Sequence, residues 1–265
     1  MSSIGQKLKG ATKKQYNPDT VAISDSSFLH ERPPRAPLIF AASQLQGTRE
    51  RQEDYFINFN DECFVVCDGV GGLPRGEVAS QLAGDTAVWA YRLVRQRHSY
   101  WKDRKLLLHR IFRTTNMTVW QKQREEGFEG GMASTMLVCI VIDRHFYIGS
   151  VGDSSAFLVR DGVMTKLTTE DVDRQGRLTK SIGTTRYGLT PSVITGDFIA
   201  GDCLILATDG VGNVMDSFKC SDLFRQSEVS ATAISDVAVN ILHCAQDAGA
   251  TDNMTVCLVK RMESV

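Results

Sequence analysis

Cys63-Phe64-Val65-Val66-Cys67-Asp68-Gly69-Val70-Gly71-Gly72 runs five apolar residues, two of them β-branched, into a carboxylate and then into three glycines within four positions. The apolar run reads as a short buried strand. A charge at the mouth of such a strand is costly unless water, a cation or a hydrogen-bond donor meets it. The glycines beside it allow the backbone to turn sharply and to approach a neighbour closely. Standing alone, Asp-Gly is a common hairpin dipeptide, and the stretch would read as a turn.

The device recurs. Cys203–Thr208 runs into Asp209-Gly210-Val211-Gly212, and Phe146–Val151 runs into Gly152-Asp153-Ser154. Mirror versions stand before strands: Glu53-Asp54 precedes Tyr55–Phe59, and Thr251-Asp252-Asn253 precedes Met254–Val259. Five such places suggest that strand ends converge on a shared acidic site. Carboxylates brought together raise one another's pKa values unless a cation neutralises them. Oxygen ligands without matching His or Cys favour Mg²⁺ or Mn²⁺ over zinc. Several carboxylates with one bridging member are what a two-metal site needs, and such a site activates a water for in-line attack on phosphorus.

Around these motifs the chain reads as one large domain. Leu38–Ala42, Tyr55–Phe59, Cys63–Cys67, Thr135–Ile142, His145–Ser150, Ala156–Val159, Val163–Leu167, Leu204–Thr208 and Met254–Val259 are expected strands. Apolar residues at three- and four-residue spacings predict a helix over about 77–97, with Trp89 and Leu93 on its apolar face. A second is expected around Leu107–Trp120 and a third around Ile234–Ala245. Runs of strands with helices in runs between them argue α+β with antiparallel sheets. Residues 1–36 are polar and read as an N-terminal extension, with the domain over 37–265.

Composition narrows the function classes. A formal net charge of -1 gives no electrostatic case for nucleic acid or an anionic membrane as main partner. No apolar run approaches the roughly 20 residues that span a bilayer, and the N-terminus lacks the apolar region of a signal peptide. The chain has seven cysteines, and Cys63, Cys67, Cys139, Cys203 and Cys257 lie within apolar runs. That fits reduced thiols and a cytoplasmic protein rather than a disulfide framework.

Arg49-x-x-Gln52-Glu53-Asp54, Asp68-Gly69-Val70-Gly71-Gly72, Gly152-Asp153-Ser154, Asp209-Gly210 and Asp252-Asn253, in this order and strand context, resemble the metal-dependent protein phosphatases (PPM, the type 2C serine/threonine phosphatases). The resemblance runs from about Leu38 to Lys260. It implies a four-layer α-β-β-α sandwich of two antiparallel sheets with helix pairs outside. It implies two Mn²⁺ or Mg²⁺ ions, bridged by Asp68, with the Gly69 carbonyl and Glu53 serving one ion and Asp209 and Asp252 the other. Asp54 would act in the outer shell through water. Asp153 would join Asp209 at a third, weaker ion, and Arg49 would grip the substrate phosphate, a contact that suits a planar guanidinium.

The sequence departs from the family pattern at Gln52, where Asn is usual, at Ser155, where Arg often follows the triplet, and at Val70, where many eukaryotic members carry His. The segment between Leu167 and Gly188 is shorter than the helical flap of bacterial relatives. The expected function is hydrolysis of phosphoserine and phosphothreonine on proteins, opposing a Ser/Thr kinase in bacterial signalling, by a monomer. Two other readings stay open: a pseudophosphatase scaffold, which needs a lost metal ligand, and a two-metal hydrolase of another class.

Overall fold

The computed structural model describes residues 37–95, 103–128, 130–215 and 231–262. The polar extension expected over residues 1–36 lies outside the described residues, as does most of the link between the first two helices. Among the described residues the order is β1 (Leu38–Leu45), β2 (Asp54–Phe59), β3 (Cys63–Asp68), α1 (Gly76–Arg95), α2 (Arg104–Lys122), β4 (Met136–Ile142), β5 (His145–Val151), β6 (Ser155–Arg160), β7 (Val163–Lys166), β8 (Ser192–Asp197), β9 (Cys203–Ala207), α3 (Asp209–Met215), α4 (Ala231–Asp247) and β10 (Met254–Arg261).

The strands form two five-stranded sheets, β1-β10-β9-β6-β7 and β2-β3-β4-β5-β8, with every ladder antiparallel. The uninterrupted apolar runs of the central strands have a direct cause: each strand is covered on both faces. Met136, Val138, Ile140 and Ile142 of β4 pack with the α1 and α2 layer, and the intervening Leu137, Cys139 and Val141 pack between the sheets. β9 divides in the same way, with Cys203, Ile205 and Ala207 facing the α3 and α4 layer and Leu204 and Leu206 facing the other sheet. The period of two is therefore present but invisible as polarity, because both destinations are apolar. Helix layer, sheet, sheet, helix layer is the expected α-β-β-α sandwich.

Two elements are additional to the sequence reading. β8 is a half-exposed edge strand whose serine, threonine, glycine and aspartate interrupt the apolar pattern. Helix α3 begins at Asp209 and carries Gly210 and Gly212, residues of poor helix propensity that tertiary packing overrides. On α1 the expected apolar face is displaced. Trp89 and Leu93 are 55% and 45% exposed, and the small residues Ala79, Ala83 and Ala87 take the core side. There they let the helix lie close on β2, with Gly84 against the Tyr55 ring. Helix α2 starts at the N-cap Asp103, which accepts a hydrogen bond from the Leu106 N–H at 3.0 Å. All six apolar positions read for the last helix, from Ile234 to Ala245, are buried.

Register decides where the acidic motifs go. Asp54 pairs directly across from Asp68. In the other sheet Ser155 pairs with Ala207, which pairs with Val256. The loops carrying Asp153, Asp209 and Asp252 therefore leave that sheet at one end.

Candidate active site

These ends line one cavity of ≈ 410 Å³, which takes in Arg49, Glu53, Asp68, Gly69, Asp153, Asp209 and Asp252. The structure thus brings together every candidate metal or phosphate ligand read in the sequence except Asp54, which stands just behind. The Asp54 carboxylate is buried, and its Oδ2 accepts hydrogen bonds from the hydroxyls of Thr208 at 2.8 Å and Thr255 at 2.6 Å. Its Oδ1 and the Oδ1 of Asp209 are buried with no hydrogen-bond partner.

Two close approaches bind the loops together. A Cβ on Gly69 would stand 2.4 Å from the backbone of Gly76, so only glycine lets the exit of β3 lie against the start of α1. A Cβ on Gly210 would stand 2.2 Å from the Asn253 carbonyl, so glycine there lets the Asp209 and Asp252 loops meet. The Gly69 N–H donates to the Glu53 carbonyl at 3.0 Å. The Glu53 carboxyl lies against Gly76, where an added Cβ would come within 2.9 Å of it.

Electrostatics follow from burial and crowding. Burial first, then Asp54, Asp209 and Asp153, hold the Asp68 carboxyl well above the usual carboxylate range. Burial pushes Asp54 up to about 7, with Asp209 and Asp252 adding to it against the two threonine hydrogen bonds. Asp153 is pushed up to about 6 by burial and then by Asp209. Burial and the neighbouring Asp252 raise Asp209, while a contact with Asp68 lowers it in part. Burial and Glu77 raise Glu53. Arg49 stands against this field with its Nη2 on Asp252 Oδ2 at 2.5 Å.

Among the described residues no three His, Cys, Asp or Glu side chains already stand gathered closely enough to hold an ion. The donor set nevertheless suits a hard divalent cation. It is oxygen-only, it includes two buried carboxylate oxygens without donors, and its carboxyls, raised first by burial and then by one another, are ones whose ionised form a cation favours.

Two contributors gain a definite part only in the structure. Asn253 staples the loop that carries Arg49: its Nδ2 donates to the Gln46 carbonyl at 2.8 Å and the Arg51 carbonyl at 2.9 Å, and its Oδ1 accepts from the Glu53 N–H at 2.8 Å. Its place in Asp252-Asn253 was visible, its function as a staple was not. The short flap segment also reaches the cavity, through Gly176, Arg177 and Leu178. The Gln52 amide steadies the loop that carries Arg49, its Oε1 accepting from the Asp54 N–H at 3.1 Å.

The protein phosphatase 2C family profile matches residues 46–255, and the chain belongs to that family. It is 25% identical over 229 residues to the serine/threonine phosphatase stp of Listeria monocytogenes serotype 4b, covering 76% of this chain and 85% of that protein. The fold resembles that of the Mycobacterium tuberculosis serine/threonine phosphatase PstP/Ppp, with a TM-score of 0.72 at 22% identity over 85% of this chain and 99% of that one. A PstP catalytic domain crystallised with two manganese ions superposes with a TM-score of 0.68 at 23% identity, covering 85% of this chain and 99% of that chain.

Proposed function

We propose that this chain is a protein serine/threonine phosphatase that removes phosphate from phosphoserine and phosphothreonine with the help of two Mn²⁺ or Mg²⁺ ions, opposing a Ser/Thr kinase in a bacterial cytoplasm. The observation that carries the reading is the meeting of Glu53, Asp68, Asp153, Asp209 and Asp252 from both sheets in one cavity with Arg49. Family membership and the manganese-bound PstP relative support it. When bound, a pair of such ions activates a water for attack on phosphorus and offsets charge on the phosphoryl oxygens.

The residues divide the work by position. Asp68, at the exit of β3, would be shared between the two ions. Glu53 and the Gly69 carbonyl would hold one ion, and Asp209 and Asp252 the other. Asp153, beside Asp209, is suited to a third ion. Asp54 acts behind Asp68, because its Oδ2 is already committed to Thr208 and Thr255. Arg49 binds a carboxylate oxygen in this structure, and the same fork suits a phosphoryl oxygen. The scaffold alternative needs a missing ligand, and Glu53, Asp68, Asp153, Asp209 and Asp252 all line the cavity.

The test is hydrolysis of p-nitrophenyl phosphate and of a phosphothreonine peptide. Turnover is expected with Mn²⁺, lost in EDTA, and at least ~100-fold lower in Asp68→Asn. Turnover that survives both chelation and the substitution would refute the reading, and none with any metal would favour the scaffold.

A further inference from the structure

Residues 171–179 fold back as a tight hairpin whose tip lines the acidic cavity. Val172 bridges to Leu178, the Thr179 N–H donates to the Asp171 carbonyl at 2.7 Å, and the Asp173 N–H donates to the Arg177 carbonyl at 2.9 Å. Asp173 Oδ1 closes the turn by accepting from the N–H groups of Gln175 at 2.8 Å and Arg177 at 3.0 Å. At the base, the Asp171 carboxylate takes the Gly152 N–H at 3.2 Å and Lys180 Nζ at 2.6 Å. None of these bonds uses the Arg177 side chain. The hairpin presents that guanidinium without depending on it.

Arg177 shares with Arg49 the distinction of being a cation among the cavity-lining residues. Its Nε and Nη2 sit 2.9 and 2.8 Å from Asp173 Oδ2, and its side chain is 74% exposed. An ion pair this open to water is worth a factor of about five at most in an equilibrium. Asp173 keeps its backbone donors if the guanidinium leaves. The pair therefore shows what Arg177 binds, a carboxylate through two donors, and that the present partner is displaced at little cost.

We infer that Arg177 is a specificity-determining residue that selects phosphoprotein substrates carrying an Asp or Glu close to the phosphorylated residue. The inference rests on the phosphatase reading above. The substrate carboxylate takes the place of Asp173 Oδ2 on the guanidinium while Arg49 attends to the phosphate. A positive charge at this wall disfavours a basic flank as it attracts an acidic one, so the residue supplies selectivity as well as attraction.

The experiment compares phosphothreonine peptides that differ only in acidic or basic flanking residues. Steady-state kinetics are paired with affinity measured by fluorescence anisotropy on the Mn²⁺-loaded protein under non-turnover conditions. Wild type is expected to favour the acidic peptide. Arg177→Ala should lower the acidic-to-basic ratio of kcat/KM about fivefold, through KM, and Arg177→Lys should fall between. Asp173→Asn keeps an oxygen for the turn and frees the guanidinium, so it should shift the ratio the other way. An unchanged ratio in Arg177→Ala, or an equal loss on both peptides, would overturn the inference. If the wild type proves inactive, the phosphatase reading fails and the anisotropy ranking alone decides the role of Arg177.

Discussion

Asp54→Asn should make the cation-free protein more stable at neutral and alkaline pH while weakening its hold on divalent ions. Asp54 is 6% exposed, and burial, reinforced by Asp209 and Asp252, lifts its carboxyl from 3.8 to about 7. At about 1.4 kcal/mol per tenfold displacement, ionising it inside the fold costs on the order of 4 kcal/mol. The folded carboxyl keeps its proton to a higher pH than the unfolded one. Its share of stability is therefore fully present below about pH 4 and is lost as pH rises through about 7. Asparagine retains an oxygen for Thr208 and Thr255 and sets an amide where Oδ1 has no donor. Allowing half the cost for relaxation and water entry, the variant should gain roughly 2 kcal/mol near pH 8, a rise in Tm of about 4–8 °C, and almost nothing near pH 4. Thermal unfolding by circular dichroism in EDTA across this range measures the gain, and Mn²⁺ calorimetry measures the loss of affinity. A Tm difference that does not change with pH, or a variant less stable near pH 8, would refute the electrostatic account.

Asn253→Ala removes three hydrogen bonds to the loop that carries Arg49 and should cost about 3 kcal/mol in urea unfolding, because two carbonyls and an N–H lose their partners. Gly210→Ala would drive a methyl to 2.2 Å from the Asn253 carbonyl. It should destabilise by at least ~3 kcal/mol and weaken Mn²⁺ binding by parting the Asp209 and Asp252 loops, as calorimetry would show. Arg49→Ala should raise KM for p-nitrophenyl phosphate about tenfold with Mn²⁺ affinity retained. Loss of metal in that variant would show that the guanidinium organises Asp252 rather than the substrate.

Much of the fold and most of the site were legible because local chemistry agrees with tertiary use. Buried strands announce themselves as apolar runs, and a carboxylate at the end of each has no structural purpose that the run itself supplies. Legibility failed where long-range contacts overrule local preference. Helix α3 forms over two glycines because Gly210 must approach Asn253. Trp89 faces outward because alanines let α1 sit close to its sheet. The edge strand β8 has a polar sequence because only part of it is covered.

For Asp68, the sequence alone determined that a buried strand delivers a carboxylate into a glycine-rich turn, and the recurrence of that device determined the acidic character of the site. Only the tertiary structure decided which carboxylates face one another. Register pairs Asp54 with Asp68 yet leaves Asp54 behind the cavity under two threonine hydroxyls. It also decided that Asn253 ties the loops together and that Arg177 reaches the cavity from a hairpin. Such facts depend on contacts between residues more than two hundred positions apart, and no local pattern of polarity or propensity encodes a distance of that kind.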